Sequence, residues 1–264
     1  LPPRRRAPRS PWYVVVPAVL VGAATLLPLV YLVVRALELD VATLLELATR
    51  SRNVRLLGNT AALAGLVLTG GTLIAVPLAW LVTRTDMRGR RIVTWLAVTP
   101  LAVPGYVMAY ALLGLGGYQG VMMRLFDVLV PRPSGLWGAA AALTLYTFPY
   151  IFLNVRSALL GLDTSLEESA RCLGLRPARV VWRVVLPQLR PALLAGWLVV
   201  ALYVLGDFGA VALMRFETFS FAIYTQYSSA FDRSNAALLS LMLLVITTAL
   251  VALAALLAVA GPRI

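Results

Sequence analysis

Six long apolar stretches constrain the fold of this chain more than any other feature of its sequence. A helix of roughly 20 apolar residues crosses the hydrocarbon core of a bilayer. Because 61% of the 264 residues are hydrophobic, the chain could not present a polar surface to water on all sides. The sequence therefore predicts an all-α integral membrane protein with about six transmembrane helices, in one domain over residues 12–260. We expect the helices near residues 12–37, 56–83, 92–118, 135–161, 189–213 and 236–260.

The basic residues predict how these helices are oriented. All 23 are arginine, and 15 of them lie on the side of the membrane that holds residues 1–11, the polar loop 163–191 and residues 261–264. By the positive-inside rule, we expect both terminal tails and the polar loop to be cytoplasmic. Since the net charge of +12 is distributed in this way, nucleic-acid binding is not expected.

The residue types that are absent exclude several function classes. A nucleotide-binding P-loop needs lysine, and the chain has none, so we do not expect this chain itself to be an ATPase. The chain also has no histidine and one cysteine, Cys172, so neither a metal-ligand cluster nor a disulfide is expected. Cys172 is interpreted as a small packing residue. With no catalytic constellation, we predict that the chain is not an enzyme.

The polar loop has the sequence signals of a helix, a sharp bend and a second helix. Asp163 precedes Glu167 and Glu168, and a side-chain cap followed by acidic residues favours a helix start. Gly174 can adopt the left-handed conformation that ends a helix. Pro177 stands where a second helix could begin, since its missing N–H is not needed there.

The loop also contains the pattern E-S-A-x3-G-x9-V-x-L-P, which runs from Glu168 to Pro187. This pattern resembles the signature loop of inner-membrane permease subunits of binding-protein-dependent ABC importers, E-A-A-x3-G-x9-I-x-L-P. Ser169 and Val184 are the departures, and both are conservative in size. The resemblance implies a type I ABC importer permease fold in which a cytoplasmic coupling helix contacts the ATPase. The implied coupling residues are Leu166, Glu167, Glu168, Ser169, Ala170, Gly174, Leu175, Val184, Leu186 and Pro187.

Weaker motifs over residues 12–260 are similar to the ferric-iron type of this family, particularly the amino-terminal half of its long members. These motifs are Asn59-Thr60, Arg84-Thr85-Asp86, Pro104-Gly105-Tyr106, Phe148-Pro149-Tyr150, Asp207 to Val211 and Ala222-Ile223-Tyr224. The resemblance implies alternating access in a bacterial inner membrane, driven by an ATP-binding cassette ATPase dimer and a periplasmic substrate-binding protein. ATP and Mg would bind to that separate ATPase subunit. It also implies a second permease half or an identical chain as partner, because this chain has one signature loop.

Proline, glycine and acidic residues inside the apolar stretches mark candidates for the translocation pathway or gate. Two prolines and a glycine at 100–105 should kink or unwind the third helix, and freed backbone groups must then face protein or water. An aspartate at membrane depth is costly and needs a partner, a backbone cap or water. For each segment, a pathway role and a purely structural role both remain open. The candidates are Pro104, Gly105, Tyr106, Tyr146, Pro149, Asp207 and Phe208.

Three other stretches carry weaker predictions. The alternation of residues 38–55 suits an amphipathic helix at the outer surface. Ala61, Gly65 and Thr69 recur every four residues, which allows close helix approach. Residues 214–235 suit a short helix on the outer side, where a soluble partner could dock.

Alternatives to ferric iron within the family are thiamine, polyamines, sulfate and phosphonate. Two other function classes also stay open: a membrane scaffold without a transport cycle, and an ion-coupled secondary carrier. The second would need intramembrane ionisable residues, for which Asp207 alone is thin support.

Overall fold

The computed structural model describes residues 12–37, 49–228 and 233–259. Both predicted tails and residues 38–48 of the predicted amphipathic helix lie outside these ranges. In the part described, the regular structure is helical. The helices are α1 (Trp12–Leu37), α2 (Ser51–Arg84), α3 (Arg90–Val98), α4 (Gly105–Leu115), α5 (Val121–Phe126), α6 (Gly135–Gly161), α7 (Thr164–Cys172), α8 (Pro177–Gln188), α9 (Arg190–Gly206), α10 (Gly209–Leu213), α11 (Phe219–Ser228) and α12 (Arg233–Val259).

Helices α2 and α6 form the centre of the bundle, and α9 packs against both. Ile151 of α6 lies between two glycines: a Cβ added at Gly71 would be 3.1 Å from its Cδ1, and one at Gly196 would be 3.1 Å from its Cα. Without side chains at these glycines, the three helices approach closely, as is usual where lipid supplies no hydrophobic driving force.

The face of α2 that makes this contact differs from the one predicted. Gly65 is exposed, and nothing lies within 4 Å of a Cβ added there. Ala61 and Thr69 are also exposed, so this stripe does not mediate close packing within the chain. The buried stripe runs at the same helical spacing one face away, through Leu63, Val67, Gly71, Ala75 and Ala79.

Among the described residues, four helices are long and apolar enough to cross a membrane unbroken, and they lie within α1, α2, α6 and α12. Two further spans consist of bent pairs. Residues Arg90–Ala102 meet α4 at 103°, and α8 meets α9 at 59°. The predicted number of about six spans is therefore reached only if each bent pair counts as one. The expected interruption at Pro100–Gly105 is present, as a short 3₁₀ segment (Thr99–Ala102) before α4.

A short helix occurs in the stretch predicted to lie on the outer side, and it is attached to the start of α2. The side chain of Asn59 donates to the carbonyl of Glu217 at 2.9 Å. The N–H of Phe219, the first residue of α11, donates to the hydroxyl of Thr60 at 3.2 Å. Residues 51–55 belong to the first turns of α2 and are not part of a separate surface helix.

Candidate functional site

The polar loop forms an elbow of two short helices, as its sequence predicts. The carboxylate of Asp163 accepts a hydrogen bond of 2.9 Å from the N–H of Ser165, which caps α7. Gly174 has φ of +81°. Its N–H bonds to the carbonyl of Arg171, and the N–H of Leu175 bonds to that of Ala170. These two bonds form the Schellman motif, which satisfies carbonyls left free at a helix end.

The second arm of the elbow starts at Pro177 and contains a wider turn. Residues Val181–Val185 have π-helical geometry directly before Leu186 and Pro187. A proline has no N–H to donate to the preceding turn, and a π turn is a usual accommodation of such an interruption. Val180 and Val185 are almost fully buried, so this arm is attached to the protein body.

Helix α7 presents one face to the protein and one to its surroundings. Glu167 and Ala170 are 8% and 7% exposed. Oε1 of Glu167 lies 2.9 Å from Nη2 of Arg84, at the end of α2, and the same Nη2 lies 3.3 Å from the carbonyl of Leu159 in α6. The buried face of α7 is thus joined to the two central helices.

The opposite face of α7 is exposed in the part of the chain that the structure describes. Leu166 is 45% exposed and Leu173 is 84% exposed. Glu168, Ser169 and Gly174 are also exposed, whereas Leu175, Val184, Leu186 and Pro187 are half-buried. Cys172 is exposed, so its interpretation as a packing residue was wrong. The predicted coupling residues therefore divide into an outward set and an anchoring set.

At a different place in the bundle, the two breaks in the apolar helices face each other. The break before α4 contacts the break between α9 and α10, and a Cβ added at Gly209 would lie 2.8 Å from Cβ of Tyr106. One added at Gly105 would lie 3.5 Å from Oδ2 of Asp207. A cavity of about 340 Å³ opens beside this contact. It is lined by Gly105, Tyr106, Tyr146, Leu202, Tyr203, Gly206, Asp207, Phe208 and Gly209.

Asp207 has the structural role that its sequence position left open, and it also lies at the cavity wall. Its Oδ1 accepts hydrogen bonds from the N–H groups of Ala210 at 2.9 Å and Val211 at 3.3 Å, so it caps α10. Its backbone carbonyl accepts a bond from the hydroxyl of Ser220. Asp207 also lines the cavity, and it is the one charged residue among those that line it.

Aromatic side chains extend the cavity wall. The ring of Tyr203 lies 5.8 Å from that of Tyr146, edge to face, and is stacked on that of Tyr150 at 5.0 Å. The ring of Phe208 lies 4.3 Å from that of Tyr224 in α11. Two predicted pathway residues do not reach this lining: Pro104 precedes α4, and Pro149 is buried inside an uninterrupted α6.

The sequence resemblance implies a helical membrane bundle with a capped elbow. Comparison with known protein families shows which family this chain belongs to. The family model described as "Binding-protein-dependent transport system inner membrane component" matches residues 71–260. The chain belongs to this family. Its members are transport permease components, not enzymes, and the family places the chain in the inner membrane as a multi-pass protein.

The relatives in this permease family are named for different transported substrates. The Fe(3+)-transport system permease protein FbpB 2 of Haemophilus influenzae is 33% identical over 90% of the chain, and the chain spans only 44% of its length. The molybdenum transport system permease protein ModB of Escherichia coli is 31% identical over 62% of the chain and 75% of its own length. The Escherichia coli sulfate permease CysT is 31% identical over 70% of the chain and 68% of its own length.

Solved structures support the permease fold. A transporter for the acidic polysaccharide alginate has a TM-score of 0.71 at 16% identity and covers 93% of this chain and 95% of its own. The inward-facing MetNI methionine transporter has a TM-score of 0.61 at 21% identity, with coverage of 80% and 96%. At such identities the likeness concerns the fold alone.

The sequence interpretation missed one contact of the permease elbow. The sequence placed Arg84 within a family motif, and it placed Glu167 near a helix start and among the implied coupling residues. Their pairing joins residues 83 positions apart, so no local spacing rule could have found it. The available signal was a basic residue at the end of one predicted span and an acidic residue in the polar loop on the same side.

Proposed function

We propose that this chain is a permease subunit of an ATP-driven importer, and that α7 is its coupling helix. The observation that carries the proposal is the divided surface of α7. Leu166, Glu168 and Leu173 face outward, while Glu167 is tied to Arg84 at the end of α2. A helix held in this way can transmit a push from an ATPase subunit to the central helices as a rigid body.

The orientation follows from the same assignment. A coupling helix must face the compartment that contains ATP, so the elbow and both termini are cytoplasmic, as the arginine distribution favours. The cavity of about 340 Å³ beside the two helix breaks then forms part of the translocation pathway. Discontinuous helices are a recurring way to build a substrate site inside a membrane. A periplasmic binding protein delivers cargo from the other side, and a second permease half completes the pathway.

The cavity lining favours a cation as cargo. It contains the carboxylate of Asp207 and the phenols of Tyr106, Tyr146 and Tyr203, and none of its residues is basic. A sulfate or molybdate ion would meet a like charge there with no arginine to compensate. Oxygen donors of these types are suited to hard metal ions, and tyrosine is a known iron ligand. We therefore propose ferric iron as the cargo, in keeping with the name of the Haemophilus influenzae relative.

An organic cation is the second candidate. The rings of Tyr203, Tyr146 and Tyr150 lie together, and aromatic faces attract ammonium groups within about 6 Å. A polyamine or thiamine would use the same carboxylate as counter-charge.

The test is transport in proteoliposomes by the whole complex, reconstituted with the ATPase and the binding protein that co-purify with this chain. We expect ATP-dependent accumulation of labelled ferric iron, unaffected by an uncoupler. Sulfate or molybdate accumulation would refute the assignment of a cationic cargo, and polyamine or thiamine accumulation would select the second candidate. Uptake that persists without the ATPase and stops with the uncoupler would indicate a secondary carrier. ATP hydrolysis that ignores binding protein and all cargoes would indicate a scaffold.

A further inference from the structure

A second cavity, larger than the one between the broken helices, lies at the end of the bundle near the elbow. It has a volume of about 450 Å³ and is bounded by the last turn of α2, the first turns of α3 and the end of α6. Arg90, Arg91 and Arg156 line it, with Trp95 and Leu160 beside them. We propose that this cavity binds the phosphate headgroup of an anionic phospholipid.

Charge is the first reason. Three guanidinium groups share the cavity, and no acidic side chain lines it. Neither Arg90 nor Arg91 forms a side-chain hydrogen bond or ion pair with the residues that the structure describes. Three like charges around one space repel one another, and a bound anion removes that repulsion. Arginine is also the side chain whose planar donor groups match a phosphate best.

A buried donor without a partner is the second reason. Nε of Arg156 is buried and has no hydrogen-bond partner in the described part of the chain. Leaving such a group unpaired costs about 1 to 3 kcal/mol, more when it is charged. A phosphate oxygen would supply the missing acceptor once the Arg156 side chain turns Nε toward the cavity.

The start of α3 adds a further positive contribution. This nine-residue helix begins at Arg90, and its preceding residue, Gly89, has no side chain to cap the first N–H groups. Free N–H groups and the helix dipole make such an end attractive to anions. The helix end would not define a site alone, but here it meets the three arginines in one cavity.

The position of the cavity selects a lipid over an ion from solution. It lies where α2 and α6 end and α3 begins. Since α2 and α6 are both long and apolar enough to span a membrane, we infer that their common end lies near a membrane surface. Trp95 is 76% exposed and Leu160 is 60% exposed, so apolar groups flank the arginines. Tryptophan is typical of this depth, and basic pockets between transmembrane helices are known to bind anionic headgroups. An acyl chain could lie along these apolar groups while the phosphate enters the cavity.

The proposal can be tested by native mass spectrometry of the full chain in detergent, with added phosphatidylglycerol, phosphatidylcholine or inorganic phosphate. The variant is R90Q/R91Q/R156Q. Its charge-matched control is R171Q/R176Q/R179Q, which removes three exposed arginines of the elbow. At about fivefold per arginine, we expect roughly a hundredfold loss of phosphatidylglycerol affinity in the variant and little change in the control. The single substitution R156Q should lower phosphatidylglycerol affinity about fivefold.

Three results would overturn the proposal. Equal losses in the variant and its control would mean that only overall charge matters. Equal binding of phosphatidylcholine would mean that the anion is not recognised. Displacement of the lipid by inorganic phosphate at matched concentration would mean that the cavity binds phosphate from solution. Far-ultraviolet circular dichroism of each variant shows whether the helices are retained, and the single variant R156Q keeps the test informative if the triple variant does not fold.

Discussion

Nη2 of Arg84 and Oε1 of Glu167 lie 2.9 Å apart, and this contact joins the end of the longest helix to the elbow. Both side chains are largely buried, at 17% and 10% exposure. The pair therefore gives α7 a fixed position relative to α2, and through Leu159 also relative to α6.

Removing one member of this pair should loosen the elbow. Glu167→Gln leaves Arg84 without its counter-charge, and breaking a buried pair in this way costs on the order of 3 kcal/mol. We expect lower unfolding stability in a detergent titration and weaker co-purification of the ATPase. Glu168→Gln, on the exposed face of α7, is the matched control for stability. Equal stability of the two variants would show that the pair does not anchor the helix.

The bend at Gly174 should require glycine because of its backbone conformation, and not because a side chain would lack room there. Nothing lies within 4 Å of a Cβ added at Gly174 or at Gly161, but only Gly174 has a positive φ. Gly174→Ala should cost about 1 to 2 kcal/mol, the usual strain of a left-handed residue, and Gly161→Ala should be close to neutral. The larger, β-branched Gly174→Val should insert into the membrane and lose the ATPase. Normal recovery of the ATPase with that variant would contradict the role of the elbow.

Two substitutions at Asp207 should separate its role as a helix cap from the effect of its charge on transport. Asp207→Asn keeps an oxygen that can accept from Ala210, so stability should be retained while cation transport falls. Asp207→Ala should also lose about 1 kcal/mol of stability, as helix caps do. The checks are thermal unfolding and iron uptake in proteoliposomes. Full uptake by Asp207→Asn would leave Asp207 only its capping role.

The contact between the two helix breaks should not tolerate an added methyl group at Gly209. A Cβ at Gly209 meets Tyr106 at 2.8 Å, whereas nothing lies within 4 Å of one at Gly206. Gly209→Ala should therefore destabilise by about 1 to 3 kcal/mol through overpacking, and Gly206→Ala should not. Unfolding curves of the two variants measure the difference, and a reversed order would mean that the breaks do not touch in the membrane.

The cap of α7 should weaken in acid. The hydrogen bond from the N–H of Ser165 lowers the pKa of Asp163 below its ordinary value of 3.8. Because the folded-state pKa is the lower one, the cap stabilises above pH 3.8 and is lost as pH falls through the lowered value. Hydrogen exchange of residues 164–172 should accelerate there. Asp163→Asn should show no such step, and a step of equal size in that variant would exclude Asp163 as its cause.

Local signals predicted the elbow well because each of its parts has a short-range cause. Asp163, Gly174 and Pro177 act on backbone groups within a few residues, and each adopts the predicted role. The prediction of close helix packing at the Gly65 stripe was wrong for the opposite reason. Several faces of α2 carry small residues, and which one meets α6 depends on how Ile151 fits between Gly71 and Gly196.

The sequence by itself determined that the chain is a helical membrane protein with a capped elbow between its apolar stretches. Hydropathy, charge sidedness and turn chemistry act over short distances, and they are readable without coordinates. Only the tertiary structure decided which side of α7 is anchored, that the breaks at Gly105 and Asp207 meet, and that Arg90, Arg91 and Arg156 share a cavity. Those relationships join residues far apart in the chain, and they arise from how the helices pack against one another.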